Sequence, residues 1–126
     1  MGFKEICSDL KDKKFLLVED ADYILNLMKT TFEKINQNIF IAKDGKEAIE
    51  VFDKESPDIV ITDIRMPLVG GEELIRHIKG KNKDTICIAV TAFIDEIEDQ
   101  ELPDAVYTKP LNVIKLIDKV HELATK

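Results

Sequence analysis

Cysteine is scarce in this sequence: the 126 residues hold two, Cys7 and Cys87. They lie too far apart for a metal-ligand spacing, and free thiols in a reducing cytoplasm are the expectation. Cys87, set in Ile86-Cys87-Ile88-Ala89-Val90, reads as an inert core thiol. Long apolar runs are missing too. None approaches the roughly 18 residues that cross a bilayer, and Met1-Gly2-Phe3-Lys4-Glu5-Ile6 has no apolar signal-peptide core. The Met-Gly start lacks a Ser or Thr at the sixth place, which discounts acylation. Basic residues are outnumbered, 18 against 25, for a net charge of −7. That balance argues against direct nucleic-acid binding. No repeat, linker or low-complexity segment interrupts the chain.

What remains is a composition of 44% hydrophobic and 34% charged residues, as in a globular protein. The length suits one domain with a core that needs no staples. The chain is organised around Ile59-Val60-Ile61-Thr62-Asp63-Ile64-Arg65-Met66-Pro67. Its apolar start is short and β-branched, which predicts a fully buried strand. Asp63 then leaves the core at the strand's carboxyl end, a reactive group on a rigid base.

Residues 1–13 show no clear period and form an N-terminal extension, either a lead-in helix or a frayed segment; residues 14–126 are the domain proper. Lys14 to Val18 is strand one, ending in Glu19-Asp20. Ile24, Met28, Thr31 and Ile35, flanked by Leu25, Leu27 and Phe32, share one side of a helix. Ile39 to Ala42 is strand two. Asp44 caps a helix that buries Ala48, Ile49 and Phe52 and stops before Pro57. After strand three, Gly70-Gly71 opens a helix with Leu74, Ile75 and Ile78 inward and Gly80 as C-cap. Thr85 to Val90 is strand four, ending at Thr91. Residues 93–102 are expected as a short, very acidic helix. Ala105 to Thr108 is strand five, ending at Lys109-Pro110, and Asn112 caps the last helix. Strands alternating with helices predict a single doubly wound α/β domain: five parallel strands, five helices, flavodoxin-like.

The residues that break the apolar runs hold corresponding places. Glu19 and Asp20 end strand one, Asp63 strand three, Thr91 strand four and Lys109 strand five. Ligands of open α/β sheets bind at the carboxyl ends of strands, where strand order reverses. With order 2-1-3-4-5 the three carboxylates crowd into one cleft. Two like charges 4 Å apart repel by about 4 kcal/mol at an effective dielectric near 20. Such a cluster needs protons or a cation, and an all-oxygen site suits Mg²⁺ better than zinc. Lys109 and the Thr91 hydroxyl complete a cradle for a phosphoryl group, with Asp63 as its nucleophile. Each part also has a plainer reading: acids favour helix starts, Thr91 could be a cap and Lys109-Pro110 a solvated loop. The joint pattern favours the site.

Over about residues 14–124 the chain closely resembles the receiver domain of bacterial two-component response regulators. The matching motifs are Val18-Glu19-Asp20, Asp63-Ile64-Arg65-Met66-Pro67 with Gly71 beyond, Val90-Thr91-Ala92, and Thr108-Lys109-Pro110. The strand order 2-1-3-4-5 is borrowed from that family. The resemblance implies that Asp63 accepts a phosphoryl group from a histidine kinase or histidine phosphotransfer protein. It implies Mg²⁺ held by Glu19, Asp20, Asp63 and the backbone carbonyl of Arg65, with Thr91 and Lys109 on the phosphoryl oxygens and a cis Lys109-Pro110 bond. Two places depart from the pattern. The family's aromatic switch position is Val106 here, with Tyr107 one residue later and on the other face of its strand. The residue before Gly71, commonly acidic in the family, is Gly70. The switched partner surface would comprise Thr91, Val106 and Tyr107.

Asp95, Glu96, Glu98, Asp99, Glu101 and Asp104 form an acid run that is either a solvated helix face or a docking surface for a basic partner. His77 and His121, with no acid at a fixed spacing, read as surface histidines rather than relay groups. Rival functions are disfavoured by particular residues. A phosphohydrolase of the dehalogenase type wants an Asp where Arg65 stands, so no turnover of an external substrate is expected. A flavodoxin-like cofactor carrier would find its phosphate repelled by Glu19-Asp20-Ala21-Asp22. A receiver that has lost phosphorylation would lack site residues that are present here. No output segment follows residue 126, so the target is a separate protein or a fused output domain of a longer chain.

Overall fold

The computed structural model describes residues 2–126; Met1, the first residue of the expected extension, lies outside them. Five strands form one sheet in the order β2-β1-β3-β4-β5. They are β1 (Phe15–Val18), β2 (Ile39–Ala42), β3 (Ile59–Asp63), β4 (Ile86–Thr91) and β5 (Ala105–Thr108), and each pair is parallel. Five α-helices accompany them: α1 (Phe3–Leu10), α2 (Asp22–Glu33), α3 (Gly45–Glu55), α4 (Gly71–Lys81) and α5 (Val113–Ala124).

The strands read as unbroken apolar runs because the sheet is covered on both faces. Phe15, Leu17, Ile59, Ile61, Ile88 and Val90 pack on one side with residues of α1, α2 and α5. Their neighbours Leu16, Val18, Val60, Cys87 and Ala89 pack on the other with α3 and α4. This is strand alternation feeding two cores. Burial at each such position contributes about 1.5–3 kcal/mol for a large aliphatic or aromatic side chain. A rigid central strand results, and β3 is buried from Ile59 through Asp63.

Local signals end the helices mostly as expected. Asp44 accepts from the Glu47 amide at 2.8 Å, and Asn112 from the Lys115 amide at 3.1 Å. The chain leaves α3 through Ser56 at φ 50°, just before Pro57. Gly80 is not the cap of α4, which runs to Lys81 and ends at Asn82. On α2 the buried stripe is Leu25, Met28 and Phe32, whereas Leu27 is turned to solvent.

The expected helix over residues 93–102 does not form. One 3-10 turn, Ile94–Glu96, is the only helical structure in that crossover. Acids spaced three and four apart repel along a helix face, and of the crossover's large apolar residues only Ile97 is fully buried. The carboxylate of Glu72 instead takes the amides of Glu98 and Asp99 at 2.9 and 3.0 Å. Asp104 bonds the Cys87 amide and Lys79. The acid run is thus partly internal wiring rather than a solvated helix face.

The fifth helix comes from the N-terminus. In α1, Ile6 and Leu10 are buried one turn apart, and Asp9 meets His121 Nε2 of α5 at 2.7 Å. His121 is therefore not a surface histidine: it is 6% exposed. His77 likewise has an acid partner, Asp53, at 2.9 Å. Neither partner was visible in the sequence, because each lies on a different element.

Candidate functional site

The carboxyl ends of β1, β3, β4 and β5 meet at one edge of the sheet. Parallel pairing sets Val18 beside Thr62, Asp63 beside Val90 and Thr91 beside Thr108. The residues just past these ends, Glu19 and Lys109, are carried to the same place. One carboxylate oxygen each from Glu19, Asp20 and Asp63 lies within 4.8 Å of the others. Glu19 and Asp63 are 3% and 6% exposed, and Asp20 faces solvent. Lys109 Nζ lies 3.0 Å from Asp63 Oδ2 and 3.4 Å from Glu19 Oε2.

Asp63 is held by more than charge. Its Oδ1 accepts from the Ile64 amide at 2.8 Å, and its carbonyl accepts from the Thr62 hydroxyl at 2.8 Å. Glu19 Oε1 accepts from the Ala21 amide at 3.2 Å. Burial and the neighbouring Asp63 push the Glu19 carboxyl above its ordinary range, against the pull of that amide and of Lys109. Burial would lower the Lys109 ammonium, yet bonding to Asp63 and Glu19 holds it above its ordinary value. Three carboxylates against one ammonium leave negative charge uncompensated. This set of hard oxygen donors, with no sulfur or imidazole, fits Mg²⁺.

The loop after β3 is pinned by glycine contacts. The Gly71 amide donates to the Ile64 carbonyl at 2.8 Å. A Cβ on Gly45 would lie 2.0 Å from the Val69 carbonyl oxygen, so the loop rests directly on the start of α3. Gly70 caps α4 without a side-chain bond. The Lys109-Pro110 peptide is cis.

Thr91 is at the site, but its hydroxyl is engaged elsewhere: it donates to Glu96 Oε2 at 2.7 Å. The other oxygen of Glu96 pairs with the Arg65 guanidinium. Sequence reasoning placed Glu96 in an undifferentiated acid run, and nothing in its spacing singled it out. Val106 packs on the α3–α4 side of the sheet and Tyr107 on the α5 side. Tyr107 therefore does not stand in for an aromatic at Val106.

Two cavities open on Asp63 and Lys109. The larger, about 540 Å³, is walled by Tyr23, Ile24 and Leu27 of α2 and by Pro110, Leu111 and Val113. The smaller, about 180 Å³, is lined by Asp63, Arg65, Ala92, Phe93, Glu96 and Lys109.

A doubly wound sheet with an acidic pocket and a lysine at its strand ends has well-defined relatives. Residues 15–121 match the response regulator receiver domain, and the chain belongs to that family of two-component signalling proteins. It is 31% identical over 115 residues to the transcriptional regulatory protein TrcR of Mycobacterium tuberculosis, covering 87% of this chain and 44% of that protein. It thus spans less than half of that relative. It is 28% identical to sporulation initiation phosphotransferase F of Bacillus subtilis, covering 88% of this chain and 93% of that one. Among solved structures, response regulator TrrA of Thermotoga maritima in complex with Mg²⁺ and BeF superposes with a TM-score of 0.80 at 33% identity, covering 88% and 98% of the two chains.

Proposed function

We propose that this chain is a phosphorylation-activated receiver in which Asp63 accepts a phosphoryl group from a histidine kinase or histidine phosphotransfer protein. The observation that carries the reading is the Asp63 carboxylate, fixed by the Ile64 amide and facing Lys109 beside two further acids. One carboxylate oxygen attacks phosphorus, the bond from phosphorus to the donor imidazole breaks, and its electron pair stays on the ring nitrogen. Glu19, Asp20, Asp63 and the Arg65 carbonyl would hold Mg²⁺, which when bound offsets the charge of the transferring group. Lys109 and the Thr91 hydroxyl would receive the phosphoryl oxygens.

A protein donor is supported by the apolar rim beside the acceptor. Tyr23 and Leu27, which wall the larger cavity at Asp63, are 77% and 57% exposed. The chain turns over no external substrate in this reading, because Arg65 stands where a phosphohydrolase would carry a second acid. Thr91, Val106 and Tyr107 form part of the switched surface, without an aromatic rotamer coupled to Thr91. That surface serves a downstream protein or a fused output domain, with no direct nucleic-acid contact. Residues 14–126 are the receiver unit, and 1–13 an extension whose Ile6 and Leu10 pack into it. Among the described residues no helix is long and apolar enough to cross a membrane. Free Cys7 and Cys87 accord with a cytoplasmic setting, and burial, which pushes the Cys87 thiol up to about 12, makes it inert.

Labelling with acetyl phosphate in Mg²⁺ tests the reading. Wild type should take up one phosphoryl group and Asp63→Asn none; undiminished labelling of the variant rules Asp63 out.

A further inference from the structure

Glu96 joins the two loops that flank the acceptor. Its Oε2 takes the Thr91 hydroxyl at 2.7 Å, at the end of β4. Its Oε1 takes the guanidinium of Arg65, two residues beyond Asp63. The Glu96 side chain is only 18% exposed and lines the small cavity that Asp63 and Lys109 share. A carboxylate thus stands in the space next to the acceptor, already bonded to the hydroxyl at the end of the neighbouring strand.

A threonine hydroxyl carries one proton. The hydroxyl has two acceptors within reach, Glu96 Oε2 at 2.7 Å and the Phe93 carbonyl at 3.1 Å, and the nearer, charged one is the stronger. While the proton is donated to Glu96, it cannot be donated to a phosphoryl oxygen on Asp63. The Thr91 oxygen is further fixed by the Phe93 amide, which donates to it at 3.2 Å. We infer that Glu96 is a positioning residue for phosphoryl transfer: its carboxylate latches Thr91 away from Asp63 in the resting protein, and an incoming phosphoryl group must displace it. The inference rests on Asp63 being the acceptor and adds the group that opposes acceptance.

Displacement is feasible because the two anions compete for one donor, so the equilibrium follows whichever binds it better. The segment that carries Glu96 is lightly built. It has one 3-10 turn in place of a helix, and Phe93 and Ile94 on it are 65% and 45% exposed. Release of Glu96 frees Arg65 and moves these two apolar side chains together. Phosphorylation at Asp63 would thereby reach the surface through a carboxylate rather than through an aromatic ring, which Val106 does not supply.

The test compares Glu96→Ala and Glu96→Gln in the full chain, each with and without Thr91→Ala, all checked for an unchanged unfolding midpoint. The readout is the labelling rate at saturating acetyl phosphate in Mg²⁺. Glu96→Ala should label about tenfold faster, the low end for a hydrogen bond to a charged group. Glu96→Gln, which keeps an acceptor for the hydroxyl, should gain less. In the Thr91→Ala background the Glu96→Ala gain should vanish. A second readout needs neither metal nor phosphate: the Thr91 methyl resonance should move in Glu96→Ala and stay near its wild-type position in Glu96→Gln. Equal labelling rates for Glu96→Ala and wild type, a gain that persists without Thr91, or an unmoved methyl resonance would each overturn the latch. Absence of label from wild type itself would instead overturn the acceptor reading beneath it.

Discussion

A Cβ on Gly71 would lie 2.1 Å from the carbonyl oxygen of Asp63 and 2.8 Å from the Ile64 Cα. Those obstacles are backbone, so a side chain there cannot be relieved by a rotamer change. Glycine lets the first turn of α4 close directly onto Asp63. Gly71→Ala should force the loop after β3 outward. Overpacking of this kind costs about 1–3 kcal/mol, visible as a lower urea midpoint, and labelling of Asp63 should weaken with it. An unshifted midpoint would mean the loop has slack that the geometry denies.

Glu72 ties α4 to the crossover before β5. Burial opposes its ionisation, but the amides of Glu98 and Asp99 and the Arg76 guanidinium outweigh it and hold the carboxyl below its ordinary 4.5. A carboxyl depressed by folding supplies stability that is complete above its unfolded value and lost as pH falls through the folded one. Glu72→Gln should therefore cost about 1 kcal/mol at neutral pH, the usual size for a lost hydrogen-bonded group. The deficit should shrink as pH drops below 4.5. Urea unfolding at two pH values decides it, and a deficit independent of pH refutes the charge's role.

Much of this architecture could be read from residue order, for a physical reason. A strand covered on both faces is mostly apolar and carries no charge in its interior, so the first charged residue marks its end, even where a buried threonine such as Thr62 precedes it. Asp63 and Lys109 stood out as the first charges after their apolar runs and Thr91 as the first polar residue after its own, and the parallel topology then brought their strand ends to one edge. Alternation along β5 likewise separated Val106 from Tyr107. Features decided by contacts distant in sequence stayed hidden. His121 and Asp9 are 112 residues apart, and Asp9 belongs to a helix with no decisive period. The segment 93–102 carried a weak helical pattern that charge repulsion and the Glu72 carboxylate overrode. Glu96 looked like its five acidic neighbours until the fold put it against Thr91 and Arg65.

The N-terminal helix gives a direct test of how far it belongs to the domain. Leu10 is fully buried in the same cluster as Leu116 and Val120 of α5. Leu10→Ala removes that packing and leaves a cavity, a change that costs about 2–5 kcal/mol in well-packed cores. Urea unfolding should show a single, lower transition. A loss under about 0.5 kcal/mol, the range of surface substitutions, would mean α1 is a detachable appendage.

Magnesium should stabilise the fold by mass action. At a hundredfold excess over its dissociation constant, one bound ion adds about 2.7 kcal/mol. Asp20 is the exposed member of the acidic trio, so Asp20→Asn should raise stability slightly in a chelator, by relieving repulsion from Glu19 and Asp63, while cutting the gain from magnesium. Unfolding midpoints with magnesium and with chelator separate the two effects. An equal gain in the variant removes Asp20 from the ligand set.

Lys109 should affect metal binding and phosphorylation in opposite directions. Its ammonium touches Asp63 and Glu19, two of the carboxylates proposed to hold the ion. It therefore competes with magnesium for the same negative charge, and at an effective dielectric near 20 such a like-charge opposition is worth a few kcal/mol at contact. Lys109→Ala should bind magnesium more tightly, by about tenfold once solvent screening is allowed for. The same change removes the cation proposed to meet the phosphoryl oxygens. Loss of one preorganised donor of this type costs about a hundredfold or more in rate, so labelling by acetyl phosphate should collapse despite tighter metal. Magnesium titration and labelling on one preparation measure both. If affinity and rate fall together, Lys109 is holding the carboxylates in place rather than competing for them, and its proposed contact with the transferred group loses its support.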